Sequence, residues 1–554
     1  VALIFAGACG LFMLTVALRL AGPTVHPDEW GFLSNGQVLI GHVEAQIPTG
    51  SFYPAGYGFI TGLGALLTGS LAGAYRVALL ANLILAVITS WASARLAIRG
   101  FGASRHMGVL AGALVFVTPG TVLTAMFAWP ETAARLAFVV FISSVMSVTR
   151  RLSATWVLVL GIGTGLMPAL HGRFTLLLPI VCLVFVWWGW RKDISRLVSI
   201  GAIAATAVSY FGSRQLNSFV KGALYGNSYD QETRLLNRLL DPSVWPALVR
   251  TMTGQSWYLI ATSGGLVGVA VIYAISRVHA DGGVRTVRTD PQRLGALVLL
   301  ASALLIIFTG GLQLLYGNRG DHMIYGRYVE ILVPVLLILA CVGVEKSALL
   351  ARRTWIITAF LIMCVAFLYV LVDRGDGLKG GYSRRNVVWP NITGADVMRY
   401  VVSPGLLTFG LVFALIAVGL WWVSRRSGSG AIVILTIALA IGSVYSGQKS
   451  ILTRTGDLEA TTQSLQMVRD SGTNLVGFDM GVRNDRSYYY LRYKLHPIKI
   501  VRFDLSGPDA VIGSEYSCVY GFPNKPPADG QWTIVADEVV LQRVLFRRLN
   551  ASHC

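Results

Sequence analysis

The segment "RLAGPTVHPDEWGFLSN", residues 19–35, sets His26, Pro27, Asp28, Glu29 and Trp30 directly after an apolar run. Carboxylates at the edge of such a run carry a desolvation cost and are usually kept where they have a task. A partly desolvated Asp, its pKa raised toward the working pH, suits removal of a proton from a hydroxyl nucleophile. Asp28 is therefore the candidate base, with Glu29 beside it; Pro27 fixes the entry angle, and His26 could orient a carboxylate or a phosphate. The plainer reading is an acid pair that caps a helix at an interface. A divalent cation held by Asp28, Glu29, Glu131 and His26 is left open.

The elements that must position these groups follow from composition. The 554 residues are 54% hydrophobic and only 13% charged, against about 25% charged in an ordinary soluble domain. Apolar runs of about 17–24 residues recur almost end to end, each long enough to cross a bilayer core. The reading is a polytopic α-helical membrane protein of about thirteen spans, with candidates at 106–124, 153–170, 197–213 and 328–344 among them. The formal charge of +19 belongs to loops facing anionic lipid rather than to a nucleic-acid surface, because no basic arm concentrates it.

Orientation turns on "SFYPAGYGFITGLGALLTGSLAG", 51–73, which is apolar but broken by Pro54 and six glycines. Read as a juxtamembrane element that does not cross, it leaves six short basic connections on one side: 99–105, 150–153, 191–196, 276–293, 345–353 and 424–430. By the positive-inside rule that side is the cytoplasm. The opposite side then holds the first outer loop, 22–75, the turns at 125–131 and 171–173, and the loops 214–255, 317–327 and 374–402. The tail joins them. Its runs "NLVGFDMG", "HPIKIVRFDLS", "DAVIGS" and "WTIVADEVVLQRVLF" read as short strands between turn clusters, after a helix in "TTQSLQMVRD". The expected organisation is a membrane domain, 1–449, and an extracytoplasmic α/β domain, 450–554. Cys9, Cys182, Cys341 and Cys364 lie in apolar runs, whereas Cys518 and Cys554 lie in the tail, where an oxidising compartment would let them pair.

Other polar residues fall on the same outward side. Glu131 starts a helix after Trp129 and Pro130, either as a favourable first-turn acid or as a site residue. "MPALHGRFT", 167–175, breaks two short spans with His171 and Arg173, and a polar turn at membrane depth is tolerated where it lines a cavity or is buried. Arg327 in "YGRYVEILVP" reads either as a snorkelling interfacial arginine or as a site residue. Tyr325, Tyr328, Tyr53 and Tyr57 read as belt residues or as platforms for sugar stacking.

"HPDEW" resembles the His-Pro-Asp-Glu signature in the first lumenal loop of the lipid-linked mannosyltransferases of glycosyltransferase family 22. Protein O-mannosyltransferases and the aminoarabinose transferases of lipid A carry similar acids there, and all share the GT-C fold. "FYPAGYGFITGLGAL" (52–66), "WPETAARLAF" (129–138) and "DHMIYGRYVEILVPVLLIL" (321–339) resemble further stretches of these enzymes, in the same order. The resemblance covers roughly residues 1–345. It implies transfer of one sugar from a polyprenyl-phosphate donor to a hydroxyl on the outer face. Asp28, with Glu29, would then serve as base. Arg327, Arg173, Arg319 and His322 would hold the leaving phosphate, a task for which the arginine fork is suited. His26, Tyr53, Glu131, His171, Tyr325 and Tyr328 would line the substrate site. Inversion is expected from a single base, with mannose or arabinofuranose as the sugar and a cell-envelope glycan or lipid as acceptor. Richness in Ala, Gly and Val suggests a bacterial source, and hence the plasma membrane. Two other functions compete: a flippase of lipid-linked sugars, expected to show repeats and mid-membrane charges, and a glycan polymerase or ligase using diphosphate-linked donors.

Overall fold

The structure is a computed structural model that describes residues 1–20, 22–23, 26, 28–42, 52–224, 231–279, 287–315, 319–372, 378, 387–480, 486–504, 512–527 and 530–554. The chain opens with the apolar helix α1 (Ala2–Arg19), and the first loop then folds back as α2 (Asp28–Leu39) and α3 (Gly58–Thr68). At 1.5 Å per residue, the 11 residues of α3 rise only about 16 Å, too little to cross a bilayer core. Helix α3 ends at Gly69, whose φ of 65° makes the left-handed stop that glycine takes without strain. The non-crossing reading of 51–73 therefore has its physical reason in a short helix closed by a left-handed cap.

The bundle continues with α4 (Leu71–Arg95), α5 (Arg105–Val117), α6 (Pro119–Ala125), α7 (Glu131–Arg150), α8 (Ala154–Leu170), α9 (Leu177–Trp190) and α10 (Arg196–Leu224). After it come α11 (Gln231–Leu240), α12 (Trp245–Thr262), α13 (Leu266–Val278), α14 (Pro291–Leu314), α15 (Val333–Lys346) and α16 (Ala348–Val372). Short α17 (Thr393–Asp396) precedes α18 (Leu406–Ser424) and α19 (Gly428–Gly447). Among the described residues 8 helices are long and apolar enough to cross a membrane, or up to 10 if each bent pair is one span. Of the roughly thirteen spans expected, the runs 153–170, 197–213 and 328–344 lie outside this set. Pro119 bends the run 106–124 by 48°, and two left-handed glycines, Gly264 and Gly265, turn α12 into α13 by 106°. The expected span 328–344 begins instead as a chain of 3-10 turns from Gly320 to Leu332, before α15.

The basic connections gather at one end. Arg150 donates to the Gly100 carbonyl (3.1 Å) and the Lys346 ammonium to that of Phe101 (2.9 Å). Glu345 accepts from the Ser104 amide (3.1 Å), Arg288 pairs with Asp193 (2.6 Å), and Arg352 donates to the Ser424 carbonyl (3.2 Å). Ser104, Ser153 and Asp290 cap the helices that leave this end, each satisfying a backbone N–H that the helix itself leaves open.

The C-terminal unit carries α20 (Arg454–Thr461), α21 (Ser464–Asp470), α22 (Arg486–Leu495) and a five-stranded sheet. Its strands β1 (Leu475–Asp479), β2 (Lys499–Phe503), β3 (Cys518–Gly521), β4 (Trp532–Glu538) and β5 (Arg543–Arg548) lie in the order β2-β1-β3-β5-β4. Strands β1, β2 and β3 are parallel, and β5 runs antiparallel to β3 and β4. The expected strand in "DAVIGS" does not form within its described part, 512–514; residues 509–511 lie outside the described residues. The missed strand β3 carries Cys518, which is joined to Cys554 in a disulfide. One continuous apolar cluster runs from Val16 of α1 through Trp30 and Trp129 to Tyr488, Leu491 and Leu545. The C-terminal unit thus shares a core with the first loop.

Candidate active site

Helix α2 starts at Asp28, so both acids of the sequence motif occupy its first turn, where the helix dipole favours negative charge. Consecutive helical residues point about 100° apart, and that angle separates their fates. Glu29 is fully buried and accepts hydrogen bonds from the Tyr75 hydroxyl (2.9 Å) and the Ala128 amide (3.0 Å). Its carboxylate ties α2 to α4 and to the turn before α7, whereas its neighbour in the motif stays partly open. Asp28 keeps 23% of its side chain exposed. It accepts from the Tyr53 hydroxyl (2.8 Å) and from Arg327, and the His26 Nδ1 lies 3.6 Å away.

Tyr53 reaches Asp28 because its loop is pinned on three sides. Asn35 of α2 donates to the carbonyls of Tyr53 (2.8 Å) and Pro54 (3.1 Å), and Asn217 of α10 accepts from the Ala55 amide (2.9 Å). A side chain at Gly56 would press into the backbone at Ala169 and Leu170, so glycine permits the close approach to the end of α8. Tyr57 bonds Asn82 (3.0 Å) inside the bundle and serves the scaffold.

Arg327 is the centre of the cluster. It stands on a 3-10 turn, Gly326–Tyr328, that presses its glycine against the Tyr258 ring. Its guanidinium pairs with Asp28 and with Glu131 (2.5 Å) and lies 3.9 Å over the Trp129 ring. His26 meets Trp129 edge-on at 4.5 Å, and Phe127 stacks behind it at 4.3 Å. Glu131 is 5% exposed, and its second oxygen has no hydrogen-bond partner among the described residues.

The turn between α8 and α9 supplies the next cation. Pro168 withholds a backbone donor near the end of α8, and the chain leaves the helix at His171. Arg173 lies 3.9 Å over the Tyr328 ring and donates to the Arg327 carbonyl (3.2 Å). No carboxylate pairs with it among the described residues. Tyr325 and Tyr328 meet edge-on at 4.6 Å beside it.

Burial pushes the Asp28 pKa up, but the charges of His26 and Arg327, with hydrogen bonds from Arg327 and Tyr53, overcome it and hold the carboxyl at about 2. The expected upward shift is therefore reversed, because burial at this site comes with cations. Burial, aided by Arg173 and Arg327, holds His171 well below the usual histidine range, and burial with Arg319 lowers His322 to about 4. Both imidazoles are neutral at ordinary pH. A neutral His322 would meet a phosphate as a hydrogen-bond donor rather than as a cation. Arg319 is committed: it pairs with Asp321, whose side chain is fully buried.

The sequence reading passed over Glu330. Its carboxylate accepts from Arg135 of α7 (2.7 Å), from Tyr258 of α12 and from Thr393 of α17. A small pocket opens on this side of the turn, lined by Pro119, Gly120, Arg135, Tyr258, Glu330 and Gly394. The signal was present, since an acid in "RYVEILVP" interrupts an apolar run. Among the described residues no group of three or more His, Cys, Asp or Glu is placed to hold a metal ion.

No family model and no curated protein matches the chain. Among solved structures it is similar to ArnT from Cupriavidus metallidurans bound to undecaprenyl phosphate, with a TM-score of 0.55 and 14% identity over 98% of this chain and 97% of that one. The apo state of the same ArnT gives a TM-score of 0.53 at 16% identity over the same shares. An oligosaccharyltransferase from Archaeoglobus fulgidus, in complex with Zn and sulfate, gives 0.39 at 13% identity over 74% of this chain and 57% of that one. The likeness to ArnT extends over nearly all of both chains, sheet domain included, and establishes a GT-C-like fold.

Proposed function

We propose that the protein is a glycosyltransferase that takes one sugar from a polyprenyl-phosphate donor and gives it to a hydroxyl of a cell-envelope glycan or lipid, with inversion. The observation that carries this reading is the shared arginine: Arg327 lies between an accessible carboxylate, Asp28, and Arg173, which pairs with no carboxylate among the described residues. A base and a phosphate grip thus meet at one point of a fold that ArnT, bound to undecaprenyl phosphate, also has. In the proposed reaction the acceptor oxygen attacks the anomeric carbon while Asp28 takes the hydroxyl proton. The bond from that carbon to the phosphate oxygen breaks, and polyprenyl phosphate leaves with the electron pair. Arg173 and Arg327 neutralise the charge that gathers there. As Arg327 turns its charge toward the phosphate, its hold on Asp28 weakens and the carboxylate becomes a better base. Glu131 keeps the guanidinium in place throughout. The site and the sheet domain are taken to face outward from a plasma membrane, with the basic end in the cytoplasm; mannose and arabinofuranose are the sugars considered.

The test is transfer of radiolabelled sugar from a polyprenyl monophosphate to a glycan acceptor by purified protein in nanodiscs. Label moving only across the bilayer would favour a flippase. Label moving only from diphosphate-linked donors would favour a polymerase or ligase.

A further inference from the structure

The seam between α2 and α22, beside Asp28, has a chemistry of its own. Tyr493 packs edge-on against Trp30 (5.6 Å) and Tyr75 (6.2 Å), Tyr489 lies 6.4 Å from Trp30, and Arg492 stands 5.7 Å from the Trp30 ring. Packing of this kind would dock a domain without any polar group. Yet two hydrogen-bond donors are buried there without an acceptor among the described residues: the indole Nε1 of Trp30 and the hydroxyl of Tyr489. Trp30 is 3% and Tyr489 5% exposed. A buried donor left unpaired is costly, and where one persists it marks strain, a water or a ligand; here two such donors lie in one aromatic seam.

The seam also adjoins the chemistry. Trp30 stands on α2 two residues after Asp28, and burial, Tyr488 and Asp28 all raise the Tyr489 phenol pKa. Arg502 of β2, half-buried, lies over the neighbouring Tyr488 ring at 5.4 Å. Ring faces, neutral donors and an arginine fork are the set that grips a sugar ring by stacking while hydrogen-bonding its hydroxyls. The donor phosphate has its own grip at Arg173 and Arg327, so this seam is left for the other substrate.

We infer that the seam formed by Trp30 of α2 with Tyr489 and Arg502 of the C-terminal unit is the acceptor subsite, holding a carbohydrate unit so that one hydroxyl faces Asp28. The inference rests on the proposed transferase reading and names its second substrate. Filling the seam takes a small displacement of α22 from α2, because both donor atoms are sealed from bulk water in this state.

The experiment uses the full chain in nanodiscs, with α-mannotetraose and α-arabinofuranotetraose as probes and saturation-transfer NMR as the readout. Tyr489→Phe and Trp30→Phe remove the orphan donors and keep aromatic packing. Each lost hydrogen bond should weaken binding of the preferred probe by about 2- to 10-fold, with affinity for polyprenyl phosphate held at the parent's value. A purely structural role predicts the opposite split: removing a buried unpaired hydroxyl leaves thermal stability equal or higher, and probe binding does not change. Equal binding by parent and variants overturns the assignment, and so does failure of both probes to bind the parent. Loss of polyprenyl-phosphate binding in the parent would instead defeat the transferase reading, while probe binding would still report on the seam.

Discussion

Two arginine–carboxylate assemblies stand on the same turn, three residues apart, and they differ in what they leave unspent. Around Glu330 everything is used: one oxygen takes Arg135, the other takes Tyr258 and Thr393, and the pair's side chains are 3% and 5% exposed. Around Arg327 capacity remains: Asp28 is partly open, Glu131 keeps an unpaired oxygen, and Arg173 has no acid among the described residues. Ionisable groups in a membrane protein carry a functional expectation by default. The comparison sharpens that rule. A closed network fixes the backbone, whereas an open one is free to exchange a partner for a substrate.

The largest effect should come from the open side. Asp28→Asn is expected to lower sugar transfer by about 10²–10⁴-fold with the fold retained, measured by label transfer and by thermal unfolding of the same preparation. Transfer within a few-fold of the parent would move the base to Glu131. On the closed side, Glu330→Ala strands the buried Arg135 without its counter-charge. Breaking a buried pair in this way costs about 3–5 kcal/mol, seen as a fall in the midpoint of unfolding, and lost transfer follows from lost structure. An unchanged midpoint would mean that the two assemblies are not of different kinds. Arg173→Ala comes next. A charge-assisted contact to phosphate contributes about 1.5–3 kcal/mol, so polyprenyl-phosphate affinity should drop by about 10- to 150-fold while the unfolding midpoint holds. A drop in both would assign Arg173 to the scaffold.

Much of the open side was legible in the sequence, because acids and arginines stand out against an apolar chain and helix ends place them. His26, Asp28, Tyr53, Glu131, Arg173 and Arg327, read in the sequence as lying on connections of one side, stand close together in the fold. What was illegible is phase and partnership. Residue order does not say which of Asp28 and Glu29 turns inward on α2, nor that the cation facing Asp28 sits 299 positions away; without that partner, burial alone gives the wrong sign for its pKa. Glu330 was readable as a lone acid in an apolar run, but its three partners come from three other helices. In the tail, β1 and β2 followed from alternation and turn residues; β4 and β5 were read as one run because no Gly or Pro marks the turn at Val539–Leu541, and β3 is only four residues long. The helix α22 was hidden because a run of tyrosines carries no clear helical period.

The smallest effect at working pH concerns titration, and it tests the open side most directly. Asp28 has an ordinary pKa of 3.8 and a folded value of about 2. A depressed carboxyl contributes stability that is fully present above the ordinary value and is lost as pH falls toward the folded one. The contribution is about 2 kcal/mol, so the unfolding midpoint should show no loss from Asp28 between pH 8 and pH 5, then fall between about pH 4 and pH 2. Transfer should likewise show no acid limb from Asp28 above about pH 4. In Arg327→Ala two of the causes that lower the pKa vanish, the charge and its hydrogen bond, while burial, the largest contribution, remains. The acid limb of the residual activity should therefore move up from the parent's, held back by the charge of His26 and the hydrogen bond from Tyr53. A limb that stays at the parent's pH would mean that His26, at 3.6 Å, suffices to keep the carboxylate ionised. Arg327 would then serve the phosphate alone, and the shared-arginine account of base activation would fail.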